Sequence, residues 1–234
     1  MKALIFCAMA LPAVAVAGDA EVSFLTEDYA PYSWIENGEA VGHGIDLIHE
    51  VAARAALSHS VEITKWSRAI ALAEKDENTC VFSTARTEER EPKFQWAGPM
   101  YVESTYLVQR AGENAEVATL EAALTKTIGT QTGDFTIQLL QELGAAKVDT
   151  APDLEKTLRK LRAGRLDYLI LGEEGATAIA AQNDDLEVAL EVSRDEFFIA
   201  CSKSTPAETV AKIDAAMDAM MDDGTQAQMV AKYK

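Results

Sequence analysis

The sequence predicts an α/β fold of two similar lobes, each built on a parallel sheet with helices on both faces. Short strands alternate with amphipathic helices along most of the chain, which is typical of parallel sheets. The alternation occurs twice, before and after a segment at residues 101–112. Ligands of open α/β sheets bind at the carboxyl ends of the strands. Two such lobes facing each other therefore predict a small-molecule cleft between them.

The first run of elements starts with an alternating, β-rich strand. Asn37-Gly38 then marks a turn, and apolar residues recur at helical spacing from Ile45 onward. Ser67 is placed to cap the next helix. The elements predicted in this run are strands 22–26, 61–64 and 80–83 and helices 45–57 and 67–75.

The second run repeats the pattern and is followed by a return strand and two helices. Gly133 is expected to open one helix, Asp153 to cap the next and Gly164 to end it. Gly224 separates the two C-terminal helices. The strands predicted here are 127–130, 147–150, 168–171 and 197–201, and the helices include 153–163, 176–182, 209–221 and 226–232.

The N-terminus has the pattern of a secretory signal. Lys2 precedes an apolar run at residues 3–11, and Ala15-Val16-Ala17 forms a small-x-small cleavage site. The run is too short to span a bilayer, although an anchor helix is the alternative. We therefore expect residues 1–17 to be a cleaved signal peptide and the mature protein to be exported.

Charge and metal-binding residues exclude several classes of function. The chain has 21 basic and 38 acidic residues, a net charge of −17. A chain this acidic repels nucleic acid and anionic lipid. His43, His49 and His59 lack the spacing of a metal site, and no cofactor-binding loop is recognised. We expect neither a metal nor a cofactor.

Two cysteines, Cys80 and Cys201, follow the signal sequence. Two thiols in an oxidising compartment favour one disulfide. From spacing alone, two separate buried thiols are an equal alternative.

Four motifs give the chain a resemblance to a known family. They are an aromatic-proline loop at residues 29–32, a G-x-x-x-D-L helix start at 41–47, a T-x-x-R…F-x-x-P block at 82–99 and L-x-x-G-x-x-D at 161–167. Each motif is weak alone, but their order and spacing together are specific. The chain resembles the family 3 bacterial extracellular solute-binding proteins, periplasmic receptors of polar amino acid transporters.

The resemblance implies a type II periplasmic-binding-protein fold, with two lobes joined by two crossing strands. Lobe 1 would comprise residues 18–104 and 196–234, and lobe 2 residues 105–195. In that topology the return strand 197–201 lies antiparallel beside strand 80–83. Cys80 and Cys201 would then lie close together, which favours the disulfide.

The resemblance also implies ligand-binding residues in lobe 1. Arg90 matches the arginine that clamps the ligand's α-carboxylate, a role that suits the planar guanidinium. Arg86, four residues earlier, is a second candidate. The alternative for either arginine is a surface ion pair with Glu88, Glu89 or Glu91. Ser83 is a candidate hydroxyl donor, or else a strand-end cap.

Aromatic residues are expected to cover the ligand. Tyr29 matches the family's aromatic, and Trp34 is expected to share that role or to pack the loop, where we also place Tyr32. Trp66 and Arg68, at the start of a helix, are expected to face the cleft, with core packing as the alternative for Trp66. Phe135 is a further candidate, from lobe 2.

Two positions depart from the family, which leaves the ligand open. Asp134 stands where a small hydroxyl residue is usual, and it either caps a helix or faces the cleft and attracts a cation. Ala85 also replaces a frequent hydroxyl. Glu173 is the expected acidic anchor for the ligand's amino group. The expected ligand is a standard α-amino acid. A cationic amine, a dipeptide or another small metabolite are the alternatives.

The resemblance implies a monomeric periplasmic protein that binds its ligand by hinge closure and delivers it to the permease of an ABC transporter. It implies binding without catalysis. The first alternative is a ligand sensor acting on a membrane receptor. The second is an exported cyclohexadienyl-dehydratase-like enzyme on the same fold, which would need a positioned acid or base such as Glu173 or Asp134.

Overall fold

The structure is a computed structural model that describes residues 21–113 and 119–233. The expected signal peptide, residues 1–17, lies outside these ranges. Within them, every helix is too short or too polar to cross a membrane.

The first half of the chain forms five strands, two helices and the start of a long sixth strand. Asn37 and Gly38 both have positive φ, 52° and 89°, which confirms the predicted turn. A short 3-10 helix at Glu91–Lys93 precedes the sixth strand. The elements are β1 (Val22–Thr26), β2 (Trp34–Glu36), β3 (Glu39–Val41), α1 (His43–Arg54), β4 (His59–Ile63), α2 (Trp66–Lys75), β5 (Thr79–Ala85) and β6 (Phe94–Arg110).

The second half repeats the alternation of strands and helices. Asp153 caps its helix as predicted, because its side chain accepts a hydrogen bond from the Lys156 amide at 2.9 Å. Gly224 precedes the last helix in a left-handed conformation, φ 78°. The elements are α3 (Leu120–Ala123), β7 (Thr127–Gln131), α4 (Thr136–Glu142), β8 (Lys147–Ala151), α5 (Leu154–Arg162), β9 (Tyr168–Gly172), α6 (Glu173–Gln182), β10 (Leu186–Ser202), α7 (Ala207–Asp222) and α8 (Thr225–Ala231).

Several helices begin at other residues than predicted, α2, α4 and α6 among them. Ser67 does not cap α2, which begins one residue earlier, after Lys65. α4 begins at Thr136 rather than at Gly133, which has a positive φ of 82° and lies in the preceding turn. α6 begins at Glu173, three residues before the predicted start. This last shift places two glutamates in the first turn of α6.

The two predicted parallel units belong to one continuous sheet of order β4-β1-β5-β10-β6-β9-β7-β8. β1 pairs in parallel with β4 and β5, and β7 pairs in parallel with β8 and β9. The antiparallel strands β6 and β10, 17 residues each, run through both units. We call the unit around β1 lobe 1 and the unit around β7 lobe 2. β6 and β10 are the crossing strands between them.

Each lobe has its own buried core. Lobe 1 buries Phe24, Ile45 and Met217 in its largest apolar cluster, between α1, α7 and the sheet. Lobe 2 buries Leu140 and Tyr168 around β7 and β9. Each lobe therefore has apolar contacts that can hold it together while the other moves.

A disulfide joins Cys80 on β5 to Cys201 on β10, with a Cα–Cα distance of 3.9 Å. The two cysteines are directly opposite each other in the antiparallel pairing. Both are fully buried in the core of lobe 1. The bond ties the returning crossing strand to lobe 1 across 121 residues of sequence.

Candidate ligand-binding site between the lobes

A cavity of about 80 Å³ lies where the two lobes face each other, beside the crossing strands. Five predicted binding residues line this cavity: Tyr29, Trp66, Ser83, Arg90 and Phe135. Its ionisable lining side chains, apart from the tyrosines, are three carboxyl groups and one guanidinium, from Glu27, Glu103, Asp134 and Arg90.

Arg90 is the buried cation of the site, with only 7% of its surface exposed. Its Nη1 donates to the Ala85 carbonyl at 3.2 Å, and its Nη2 donates across the cleft to the Gly133 carbonyl at 2.9 Å. Burial lowers the pKa of Arg90, and the charge of Asp134 opposes that shift. Arginine keeps its charge even so, and a buried charge favours an anionic partner.

The Trp66 ring lies against the Arg90 guanidinium. The Arg90 guanidinium carbon lies 5.7 Å from the centre of the Trp66 ring, within cation–π range. The Trp66 indole N–H donates to the same Gly133 carbonyl at 3.0 Å. Trp66 is therefore both buried in lobe 1 and in contact with lobe 2.

Glu27, directly after β1, is the first carboxyl group of the cavity. It accepts a hydrogen bond from the side-chain amide of Gln131 in lobe 2. Burial, and then the charge of Asp134, raise the pKa of Glu27 to about 8. Desolvation favours the neutral acid here, so a cation beside Glu27 would stabilise the ionised form.

Glu103, on the crossing strand β6, is the second carboxyl group. It accepts hydrogen bonds from the Tyr32 hydroxyl and, at 2.9 Å, from the Glu174 amide at the start of α6. Burial raises the pKa of Glu103 to about 7, and both hydrogen bonds oppose that shift. Tyr32 thus has a polar role at this site as well as a packing one.

Asp134 is the third carboxyl group of the cavity. Its Oδ1 accepts from the Thr136 amide at 2.8 Å and from the Thr136 hydroxyl at 2.5 Å, at the start of α4. It also lines the cavity. With Glu27 and Glu103 it makes the site rich in carboxyl groups.

The other walls of the cavity are aromatic. Tyr101 stacks on Phe197 at 5.4 Å, and Phe135 from lobe 2 meets Phe197 edge-on at 5.7 Å.

Ser83 lies within β5, not at its end, and has a positive φ of 57°. This conformation is uncommon for serine and coincides with a register shift in the pairing of β5 with β10.

The structure places four predicted binding residues outside this cavity. Arg86 forms an ion pair with Glu91 at 2.6 Å and lies over the Trp96 ring. Trp34 packs edge-on against Tyr233, near the C-terminus. The other two, Arg68 and Glu173, are exposed at the starts of α2 and α6.

Helix geometry explains the position of Arg68. Arg68 is two residues after Trp66, so it points away from the face that Trp66 presents to the cleft. Glu173 borders a second cavity of about 240 Å³ beside α8. Its neighbour Glu174 borders the same cavity, and its Oε2 lies 2.7 Å from the Nε2 of His43 in lobe 1.

The sequence reasoning missed Glu27, Glu103 and further lining residues, among them Gln131, Tyr101 and Phe197. Glu27 had an available signal, because it follows the carboxyl end of a parallel strand. Glu103 had none, since it lies in the segment expected to separate the two lobes. Within residues 21–113 and 119–233, no set of three or more His, Cys, Asp or Glu side chains is arranged to hold a metal ion.

Comparison with known proteins supports the fold. A probable histidine-binding protein of Campylobacter jejuni is 20% identical over 210 residues, 88% of this chain and 82% of that protein. The arginine-, lysine-, histidine-binding protein ArtJ of Geobacillus stearothermophilus has a TM-score of 0.82 at 19% identity, covering 92% of this chain and 95% of that structure.

An ancestral amino acid-binding protein, a precursor of cyclohexadienyl dehydratase, has a TM-score of 0.78 at 21% identity, covering 91% of this chain and 94% of that structure. At these identities the structural likeness establishes the two-lobed fold. The sequence model of the bacterial extracellular solute-binding proteins, family 3, matches residues 23–234. The chain therefore belongs to family 3 of the bacterial extracellular solute-binding proteins.

Proposed function

We propose that this protein is a periplasmic receptor that binds a basic α-amino acid between its lobes and delivers it to the permease of an ABC transporter. The observation that supports this proposal is the charge pattern of the cavity. One buried guanidinium, Arg90, shares it with three carboxyl groups, Glu27, Glu103 and Asp134.

A basic amino acid matches this pattern because it has one carboxylate and two cationic groups. Arg90 would bind the carboxylate through its planar fork. The carboxyl groups of Glu27, Glu103 and Asp134 would bind the two cationic groups, and the aromatic wall would pack on the aliphatic chain. A neutral or acidic amino acid would leave more of these carboxyl groups without a cation, at a desolvation penalty.

Capture would use closure of the lobes about β6 and β10. Several hydrogen bonds already connect the lobes around the cavity, among them those from Arg90 and Trp66 to Gly133 and from Gln131 to Glu27. We place the lobe boundaries at residues 18–104 plus 196–234 and 105–195, so that both crossing strands change lobe near Ser104 and Glu196. Ligand that contacts both lobes would stabilise the closed form.

The related proteins are consistent with this ligand class. One relative is described as binding histidine, and one structural neighbour as binding arginine, lysine and histidine. We further propose that the signal peptide is cleaved after Ala17, that the mature protein is a monomer and that it binds without catalysis. Recognition of the closed form by a permease completes the proposal.

Isothermal titration calorimetry tests the ligand class directly. The panel is L-arginine, L-lysine, L-ornithine and L-histidine against L-glutamine, L-glutamate and the diamine putrescine, which has no carboxylate. We expect micromolar or tighter binding of at least one basic amino acid. Binding of L-glutamine, L-glutamate and putrescine should be at least 100-fold weaker. Tightest binding of glutamate, or binding of putrescine alone, would contradict the proposal. Turnover of prephenate or arogenate would identify an enzyme instead.

A further inference from the structure

The first turn of α6 is the part of lobe 2 on which the aromatic loop of lobe 1 rests. Tyr29 follows β1 in lobe 1, yet its ring packs against a buried cluster of lobe 2 that includes Leu171 and Ala176. Tyr29 and Tyr32 lie against each other, with ring centres 5.1 Å apart. The loop therefore contacts lobe 2 as one aromatic unit.

Gly175 lies at the centre of this contact. A Cβ atom added there would be 2.6 Å from the Tyr29 hydroxyl and 2.7 and 2.8 Å from two carbons of its ring. These distances are shorter than real Cβ contacts, so Tyr29 can approach α6 in this way only because residue 175 has no side chain.

The backbone does not require a glycine at this position. Gly175 lies inside α6 and is not among the residues with positive φ. Alanine is the better helix former, because glycine loses more backbone entropy. The glycine therefore weakens the helix locally, and the approach of Tyr29 is the feature of the structure that accounts for it.

Two polar contacts link the same turn to residues outside lobe 2. The Glu174 amide donates to Glu103 on the crossing strand at 2.9 Å. The Glu174 carboxylate lies 2.7 Å from Nε2 of the buried His43, at the start of α1 in lobe 1. The first turn of α6 therefore contacts lobe 1 and the crossing strand in three ways. Gly175 lies against the Tyr29 ring, the Glu174 amide donates to Glu103, and the Glu174 carboxylate lies beside His43.

We infer that Gly175 is a positioning residue for ligand capture, whose missing side chain allows Tyr29 to rest on α6 and the lobes to close. This inference rests on the proposed function, in which the lobes close on a ligand. A side chain at position 175 would be accommodated by withdrawal of Tyr29, which opens the cleft. Gly175 therefore sets the balance between the open and closed forms without contacting the ligand.

The test compares Gly175→Ala with Thr177→Ala, a matched change at an exposed position of the same helix. Three quantities are measured on the mature protein: the urea midpoint of unfolding, the radius of gyration from X-ray scattering with and without L-arginine, and the affinity for L-arginine. For Gly175→Ala we expect an unchanged or higher midpoint, because the helix gains propensity. We also expect a larger radius than Thr177→Ala shows with ligand, and at least tenfold weaker binding.

The opposite directions of stability and affinity separate a positioning role from a packing defect. A radius and an affinity equal to those of Thr177→Ala would overturn the inference. A lowered midpoint accompanying the loss of affinity would also overturn it. Failure of the wild-type protein to bind any basic amino acid would refute the proposed ligand class. In that case the inference would be tested by the radii of gyration of Gly175→Ala and Thr177→Ala without ligand. Equal radii would overturn it.

Discussion

The Nη2 atom of Arg90 in lobe 1 lies 2.9 Å from the backbone carbonyl oxygen of Gly133 in lobe 2. The buried guanidinium thus contributes to the contact between the lobes as well as to the lining of the cavity. An incoming carboxylate is a stronger partner for it than a carbonyl, because both members of the pair are charged. Under the proposed function, ligand recognition and lobe closure would therefore involve the same side chain.

Replacement of Arg90 is expected to weaken binding of L-arginine more than any change outside the cavity. Arg90→Gln removes the charge, and Arg90→Lys keeps the charge but removes the planar fork. We expect losses of 10- to 100-fold, consistent with about 1.5–3 kcal/mol for a hydrogen bond to a charged group. Calorimetry measures this, with exposed Arg68→Ala as the control. Equal affinities of Arg90→Gln and Arg68→Ala would show that the guanidinium does not bind the ligand.

Arg86→Ala and Glu173→Gln are expected to leave the affinity for L-arginine within twofold of the wild type. Arg86 is paired with Glu91, and Glu173 is exposed beside the second cavity. Exposed pairs contribute at most about 1 kcal/mol, so both variants should also fold normally. The measurement is calorimetry beside circular dichroism. A tenfold loss of affinity in either variant would show that the residue belongs to the binding site.

Binding of L-arginine is expected to strengthen as the pH rises from 6 to 8. Burial holds the pKa of Glu27 at about 8 and that of Glu103 at about 7, and a cationic ligand requires the ionised carboxylates. At lower pH the protein must release protons in order to bind, which weakens the affinity by up to about tenfold per pH unit for each coupled group. Calorimetry in buffers of different ionisation enthalpy measures this release. Glu27→Gln should reduce both the slope and the proton release, and an unchanged slope would exclude Glu27.

The same two carboxyl groups are expected to make the ligand-free protein less stable as the pH rises. Their pKa values in the folded protein lie above the ordinary value of 4.5. Their contribution to the free energy of unfolding is therefore complete below pH 4.5 and is lost as the pH rises through 7 and 8. Denaturation with urea at pH 5 and pH 8 measures this loss. The double variant Glu27→Gln, Glu103→Gln should show a smaller difference, and an equal or larger difference would contradict this account.

Removal of the disulfide is expected to reduce stability without affecting binding. The double variant Cys80→Ala, Cys201→Ala should lose about 2–5 kcal/mol in the free energy of unfolding, the usual range for a native disulfide. Both cysteines lie in the core of lobe 1 and do not line the cavity, so the affinity should stay within twofold. Urea denaturation and calorimetry measure the two effects. Two free thiols in the wild-type mature protein, seen by mass spectrometry, would rule out the bond.

His43→Gln is expected to weaken ligand binding although His43 does not line the cavity. Its Nε2 lies 2.7 Å from the Glu174 carboxylate across the lobes, so the variant loses a contact that the closed form makes. We expect a loss of roughly three- to tenfold, the effect of about 0.5–1.5 kcal/mol for one net polar contact. His49→Gln is the control, because His49 is exposed on the same helix and its ring contacts His59. Identical affinities in the two variants would contradict a role in closure.

Most of the elements were predictable because their signals are local. Apolar spacing identified α1, and Asp153 and Gly224 marked helix boundaries in the positions the structure confirms. The two long crossing strands were predicted only in part. The first half of β10 is mostly half-exposed and pairs with β6 over its full length. Its strand identity therefore comes from hydrogen bonds to a partner roughly 80 residues away.

The binding site divides in the same way. Arg90, Tyr29 and Trp66 were predictable because family motifs and strand ends locate them along the chain. The sequence alone predicts the two α/β lobes, the family and an arginine in the cleft. The tertiary structure was needed to show which glutamates enter the cavity and where Gly175 meets Tyr29. Those relationships depend on how two separately packed lobes approach each other, which no local periodicity or spacing encodes.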